Sequence, residues 1–421
     1  MNSVLQLCGR IHREAATRLG IGLLALAVFA VSVEAIGLAV VRARGHDSQP
    51  RLGYYLHGFV ATIEGAPPLA RWDSIWYYAV ATEGYTGHGP DSRLTPGFLP
   101  LYPIFMRALG DVSGCGYFTA GVCVSRLALL CVVLLLPIYA REREGQAEPG
   151  WAVVVTLLAF PSAYILVAVY AEAMFVALAL AAFVLARRRS HGWAALAAFG
   201  AALTRIHGLA LIPALAVLGW EQWRRGGPPA AALAETTDGK RYGRLETYHA
   251  ARHAHSGTFL PAIGAASAYL ALVGYFWIAL GNPLAHLAAK YQGWHQKFTP
   301  PWTTLGGAID RLDHSLAHPG LGTVYTALEL PCLYLIGATV ALLCVRRWWP
   351  EAVYVACAAA MSLCCGTLDG VPRYTIALFP VFVVLSGLRR WPMLWGLYLV
   401  TGVVLQVCLL VHFVRFASPP P

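Results

Sequence analysis

Apolar runs of about 16 to 25 residues recur from Leu19 to the end of the chain, each bounded by a short polar or basic cluster. Runs of that length match the roughly 20 helical residues needed to cross a hydrocarbon core about 30 Å thick. Lipid admits only helices or closed barrels, and the alternating signal of a barrel is absent. The pattern therefore predicts an all-α polytopic membrane protein. The first run, Leu19–Val41, follows Arg10, Arg13 and Arg18. It is too long for a signal peptide and lacks a small-residue cleavage site, so it reads as a retained span with a cytoplasmic N-terminus. The second span covers Thr119–Ala140. Two later stretches are too long for single crossings. Trp151–Ala186 is interrupted by Pro161-Ser162 and Tyr170-Ala171-Glu172, and Trp193–Trp220 by Thr204-Arg205-Ile206-His207-Gly208, so each divides into two short spans. Spans at 258–280, 322–345, 351–366, 374–388 and 392–414 bring the total to about eleven in a single domain, 1–421.

Counting from a cytoplasmic N-terminus places Arg141 and Arg143, Arg187 to Arg189, the loop 221–256, Arg346 and Arg347, and Arg389 and Arg390 all inside. That agrees with the positive-inside rule. The same count puts the loops 42–117 and 281–320 outside, together with the C-terminus. The first of these loops is expected to hold short interfacial helices. Only 12% of residues are charged, against roughly 25% in soluble proteins. The net charge of +10 is spread between spans and forms no nucleic-acid face. The ten cysteines lie mostly in apolar runs, with no CxxC and no Cys/His ligand spacing. Cys115 and Cys123 flank the start of a span, where two free thiols are expected rather than a disulfide.

The chemistry gathers on the outer face. Arg71-Trp72-Asp73, Glu172, Thr204-Arg205 and Asp369-Gly370-Val371-Pro372-Arg373-Tyr374 all fall outside or at the outer boundary. A charge at membrane depth costs roughly 2.5 kcal/mol or more, so a helix-end residue reaching for headgroups is the bland account of any one of them. Four such breaks on one face point to a shared cavity. Asp73 stands among Trp72, Trp76, Tyr77 and Tyr78, and a carboxylate among aromatic rings suits a sugar. An interfacial aromatic belt is the alternative. The prolines of Pro96-Gly97-Phe98-Leu99-Pro100-Leu101-Tyr102-Pro103 read as a rigid turn before an interfacial helix.

The run RWDSIWYYAVATEGY followed by PGFLPLYPIFMRALG resembles the first external loop of PIG-V-type mannosyltransferases, the GPI mannosyltransferase 2 family and its bacterial relatives. These belong to the GT-C superfamily of membrane glycosyltransferases. The likeness continues in FPSAYILVAVYAEAMF, in LTRIHGLALIP, around Gln292-Gly293-Trp294 and Pro300-Pro301-Trp302, and in VPRYTIALFP. Two departures are Gly97-Phe98-Leu99, where the family has two phenylalanines, and the 221–256 insertion, which has no counterpart. The resemblance implies a GT-C-like fold. It also implies transfer of mannose, or another hexose, from a polyprenyl-phosphate carrier to an extracytoplasmic glycolipid, glycan or protein, with inversion.

Direct inverting transfer needs one general base opposite a phosphate leaving group, and Asp73 takes that role. Arg205 and Arg373 are candidates for the lipid phosphate, because guanidinium binds phosphate bidentately. Glu172 either orients substrate hydroxyls or pairs with an arginine. Arg71, Trp72, Trp76, Tyr77, His207, Trp294 and Tyr374 complete the expected binding set. No cofactor, metal or nucleic-acid partner is expected. Broken spans and buried charges would also suit a transporter or flippase of lipid-linked sugars. The odd span count, the absence of an inverted repeat and the long first external loop stand against it. A non-catalytic polyprenyl-phosphate-binding subunit is a third reading.

Overall fold

A computed structural model describes residues 2–44, 67–86, 90–145, 150–225, 257–320 and 322–415. The expected loop 221–256 and the first half of the expected loop 42–117 lie largely outside the described residues. Among those described, every regular element is helical. In chain order the helices are α1 (Asn2–Arg44), α2 (Ser74–Glu83), α3 (Leu101–Ser113), α4 (Tyr117–Glu144), α5 (Trp151–Leu158), α6 (Glu172–Arg187), α7 (His191–Thr204) and α8 (Leu211–Arg225). They continue with α9 (Leu260–Leu280), α10 (Ala285–Trp294), α11 (Pro301–Ala317), α12 (Thr323–Val345), α13 (Trp349–Leu363), α14 (Val371–Thr375), α15 (Phe379–Leu385) and α16 (Pro392–Arg415).

Five of these, α1, α4, α9, α12 and α16, are long and apolar enough to cross a membrane. Their outer faces carry exposed apolar side chains such as Leu24, Ile278, Tyr334 and Met393, as lipid contact requires. The chain is a helical membrane protein. Of the shorter helices, α6 is apolar nearly all round and almost wholly buried. Small residues let them approach closely. On α9, a Cβ at Gly264 would stand 2.4 Å from the Ala195 carbonyl oxygen, so α7 and α9 touch backbone to backbone there.

Both long apolar stretches break where their polar and proline residues fall. Between α5 and α6, residues 159–171 run through a 3₁₀ turn, Ala163–Val167, and every one is buried in protein. Irregular backbone at membrane depth is tolerated only under such cover. Its free groups find partners elsewhere in the bundle. Gln406 on α16 donates to the Leu158 and Phe160 carbonyls at 3.1 and 3.0 Å, and Ser162 donates to the Pro372 carbonyl at 2.6 Å. The second break, Arg205 and the 3₁₀ turn Ile206–Ala210, separates α7 from α8. The short helices expected in the first external loop are α2 and α3, while 281–320 forms α10 and α11.

The bundle has two chemically different ends. Glu172 opens α6 and Arg187 closes it, which at 1.5 Å per residue sets them about 22 Å apart. At the Arg187 end a fully buried carboxylate, Glu351, receives Arg143 at 3.0 Å, Arg187 at 2.5 Å and the Tyr139 hydroxyl. This knot ties α4, α6 and α13 together. The Glu172 end holds a cavity.

Candidate functional site

Asp73 is delivered by a strained turn. Trp72, immediately before it, has φ 55°, an uncommon conformation for a bulky residue. The Tyr170 hydroxyl fixes that turn from both sides, accepting the Asp73 amide at 3.1 Å and donating to the Arg71 carbonyl at 3.3 Å. The Trp72 indole donates to the Phe413 carbonyl at 3.1 Å. The ring is thereby turned into the protein while the next side chain faces the cavity.

Three other chain segments converge beside Asp73, which one of them contacts directly. Arg373, from α14, places Nη1 2.6 Å from Asp73 Oδ2 and Nε 3.3 Å from Glu172 Oε1. Arg205, at the second break, also contacts Glu172 Oε1. Glu172 is completely buried, so it serves as the floor beneath two guanidinium groups. The Tyr374 ring lies 5.3 Å from both guanidinium carbons, and the His207 ring is 4.7 Å from that of Tyr374. Tyr374 folds back because residue 370 is glycine; a Cβ there would fall 2.2 Å from the ring.

A cavity of about 660 Å³ opens over these groups, in the range of small-molecule sites. Of the residues expected from sequence, Asp73, Tyr77, Arg205, His207, Arg373 and Tyr374 line it. The others stand behind the wall. Arg71 is buried, and its guanidinium donates to the Pro67 and Ala70 carbonyls at 3.1 and 2.9 Å. It is thus a brace of its own loop rather than part of a binding surface. Trp76 and Trp294 pack against Phe98, with ring centroids 5.9 and 5.4 Å away, and back the cavity rather than face it. Cys115 and Cys123 are free thiols.

Sequence reasoning did not single out Lys290, Lys297 or His286 and read Phe98 only within a rigid turn, yet all four line the cavity. A signal existed. The chain has only three lysines, and two of them lie here. The Lys290 ammonium sits 4.5 Å from the Phe98 ring centroid and 4.3 Å from that of Trp294. Lys297 is in the segment after α10, where its own amide and that of Thr299 bond the Cys365 and Cys364 carbonyls at 3.2 and 3.0 Å. Among the described residues the cavity wall thus carries four cations, Arg205, Lys290, Lys297 and Arg373, and the carboxylate Asp73, with Glu172 buried behind the two arginines. At its rim stand Leu287, Tyr291 and Phe298, the last 87% exposed. A polar, positive interior leads out past apolar side chains.

Burial alone would raise the Asp73 carboxyl, but Arg373, then Lys290 and Arg205, outweigh it and hold the group below the usual carboxylate range. Burial pushes the Lys290 ammonium down to about 8, with Asp73 opposing. Among the described residues, no three His, Cys, Asp or Glu side chains converge as a metal-binding group. No family model, curated protein or solved structure matches the chain.

Proposed function

We propose that this chain is a membrane glycosyltransferase of GT-C type. It moves a hexose, mannose on the strength of the PIG-V-like motifs, from a polyprenyl-phosphate carrier to an acceptor outside the cytoplasm. One observation carries the reading. A single carboxylate, Asp73, faces a cavity whose other charged groups are cationic and whose rim is exposed and apolar. An anionic headgroup with a hydrocarbon tail fits that gradient, and a lone carboxylate suits an inverting displacement. The acceptor hydroxyl attacks the anomeric carbon and Asp73 takes its proton. The bond from that carbon to the phosphate oxygen breaks, and polyprenyl phosphate leaves with the electron pair.

The eleven-span topology belongs to the same proposal. It supplies the reason for a lipid donor, since nucleotide sugars stay in the cytoplasm. Four of its crossings come from the broken pairs α5/α6 and α7/α8, whose breaks carry Glu172 and Arg205 to the cavity. The test is purified protein in nanodiscs given radiolabelled polyprenyl-phosphate mannose and extracted membrane acceptors. Labelled product is expected, with loss of label from the carrier. With the protein reconstituted instead in sealed vesicles, donor that stays intact but crosses the bilayer would make the protein a carrier. Donor that is bound, untransferred and unmoved would make it a binding subunit.

A further inference from the structure

The ionic groups at the cavity are not equally free to hold a ligand. Arg205 is committed to Glu172, and Arg373 to both Asp73 and Glu172. Two guanidiniums and two carboxylates thus neutralise one another. Lys290 differs. Among the described residues no carboxylate lies within ion-pair distance of its ammonium, which rests on the faces of Phe98 and Trp294. Aromatic faces attract a cation through their quadrupole but leave its charge uncompensated. A buried charge without a direct ion-pair partner is costly to keep, so the close counterion belongs to whatever fills the cavity.

We infer that Lys290 is the anchor for the phosphate of a lipid-borne phosphodiester, held in place by the Phe98–Trp294 pair. The inference rests on the glycosyl-transfer reading above and assigns the phosphate to a residue other than the two arginines. Lysine binds phosphate as a point charge, which suits a headgroup that must leave after transfer. Position supports this. α10 presents His286 and Lys290, four residues apart, to the interior, and the adjoining Leu287 and Tyr291 to the apolar rim. The headgroup and the start of the tail would therefore meet the same helix. Lys297 adds a second cation nearer the rim.

The test is direct binding of polyprenyl phosphate, which carries no sugar, to protein in phosphatidylcholine nanodiscs. Three proteins are compared: wild type, Lys290→Met, which keeps the stem on the rings, and Lys290→Arg, which keeps the charge. The methionine variant is expected to bind about 10- to 100-fold more weakly, the usual worth of a charge-assisted contact, and arginine to restore most of the loss. Thermal midpoints within a few degrees of one another show that all three are folded. Equal binding by the methionine variant overturns the role of Lys290 and leaves the glycosyltransferase reading standing. No binding by the wild type overturns that reading and the inference together. In a second arm, inorganic phosphate is the competitor. Displacement of the lipid only at concentrations far above those of the lipid itself is expected; equal potency overturns the lipid-borne ligand.

Discussion

Asp73 has two neighbours that decide what it can do. Arg373 holds its carboxylate at 2.6 Å, and the Tyr170 hydroxyl holds the backbone beneath it. The Asp73→Asn variant keeps an oxygen for Arg373 and removes the basic lone pair. Its kcat is expected to fall by roughly 10²–10⁴, the usual worth of a positioned base, while donor binding survives. Glu83, exposed at the end of the same helix, is the control, and Glu83→Gln is expected to be mild. A stable Asp73→Asn protein with near-normal turnover would make the Arg373 pair purely structural. A pH profile reads the same groups. Because Arg373 depresses Asp73 in the free protein, kcat/KM is expected to show no acidic limb in the ordinary carboxylate range. An alkaline limb is expected near 8, where Lys290 loses its proton and with it the charge that attracts the anion. The groups facing Lys290 are Asp73, Arg373, Arg205 and Cys365, and none of the arginines titrates there. The limb should therefore vanish in Lys290→Arg; its persistence would assign it elsewhere. Asp73 and the two arginines were legible in the sequence as charges at apolar boundaries. Lys290 was not, because a cation in an amphipathic helix looks like solvated surface until its aromatic partners are brought to it from Phe98 and Trp294.

At the scale of elements, the helix breaks were the most readable feature and α14–α15 the least. Pro161 and the Arg205–Gly208 segment advertise their interruptions. The run 374–388, in contrast, reads as one continuous apolar span, yet it holds only the seven-residue α15 and turns on either side. The reason is tertiary. The Tyr354 hydroxyl donates to the Ala377 carbonyl at 3.0 Å, giving the backbone a partner that no helix supplies. The knot at the far end of α6 has a separate job. Glu351→Gln leaves Arg143 and Arg187 without their shared counterion in a buried place. A loss of about 3–5 kcal/mol is expected, read as a lowered thermal or denaturant midpoint. The folded fraction should keep wild-type kcat, since the cavity lies about 22 Å away along α6. A fall in turnover without a fall in stability would couple the two ends.

For the whole molecule, orientation is the decisive measurement. Reporter fusions or cysteine labels in 226–256 are expected to report the cytoplasm, and those in 45–66 or 281–320 the opposite side. The reverse arrangement would place the cavity among nucleotide sugars and remove the need for a lipid donor. The ionic site itself joins residues 73, 172, 205 and 373, and the Asp73–Arg373 contact spans 300 positions of sequence. Pairing at that distance leaves no local trace, which is why the charges could be found one by one but not matched. It also sets a timetable for biosynthesis. Glu172 leaves the ribosome only 33 residues ahead of its first partner, Arg205, so that pair can form early and shelter both charges. Asp73 must wait until nearly nine-tenths of the chain has been made. A nascent chain arrested before α14 therefore carries an unmatched acid at the turn before α2, the kind of defect that membrane quality control removes. Nascent chains truncated at residue 368 should accordingly be cleared faster in pulse-chase than chains truncated at 390. Equal lifetimes would show that Asp73 finds shelter without Arg373.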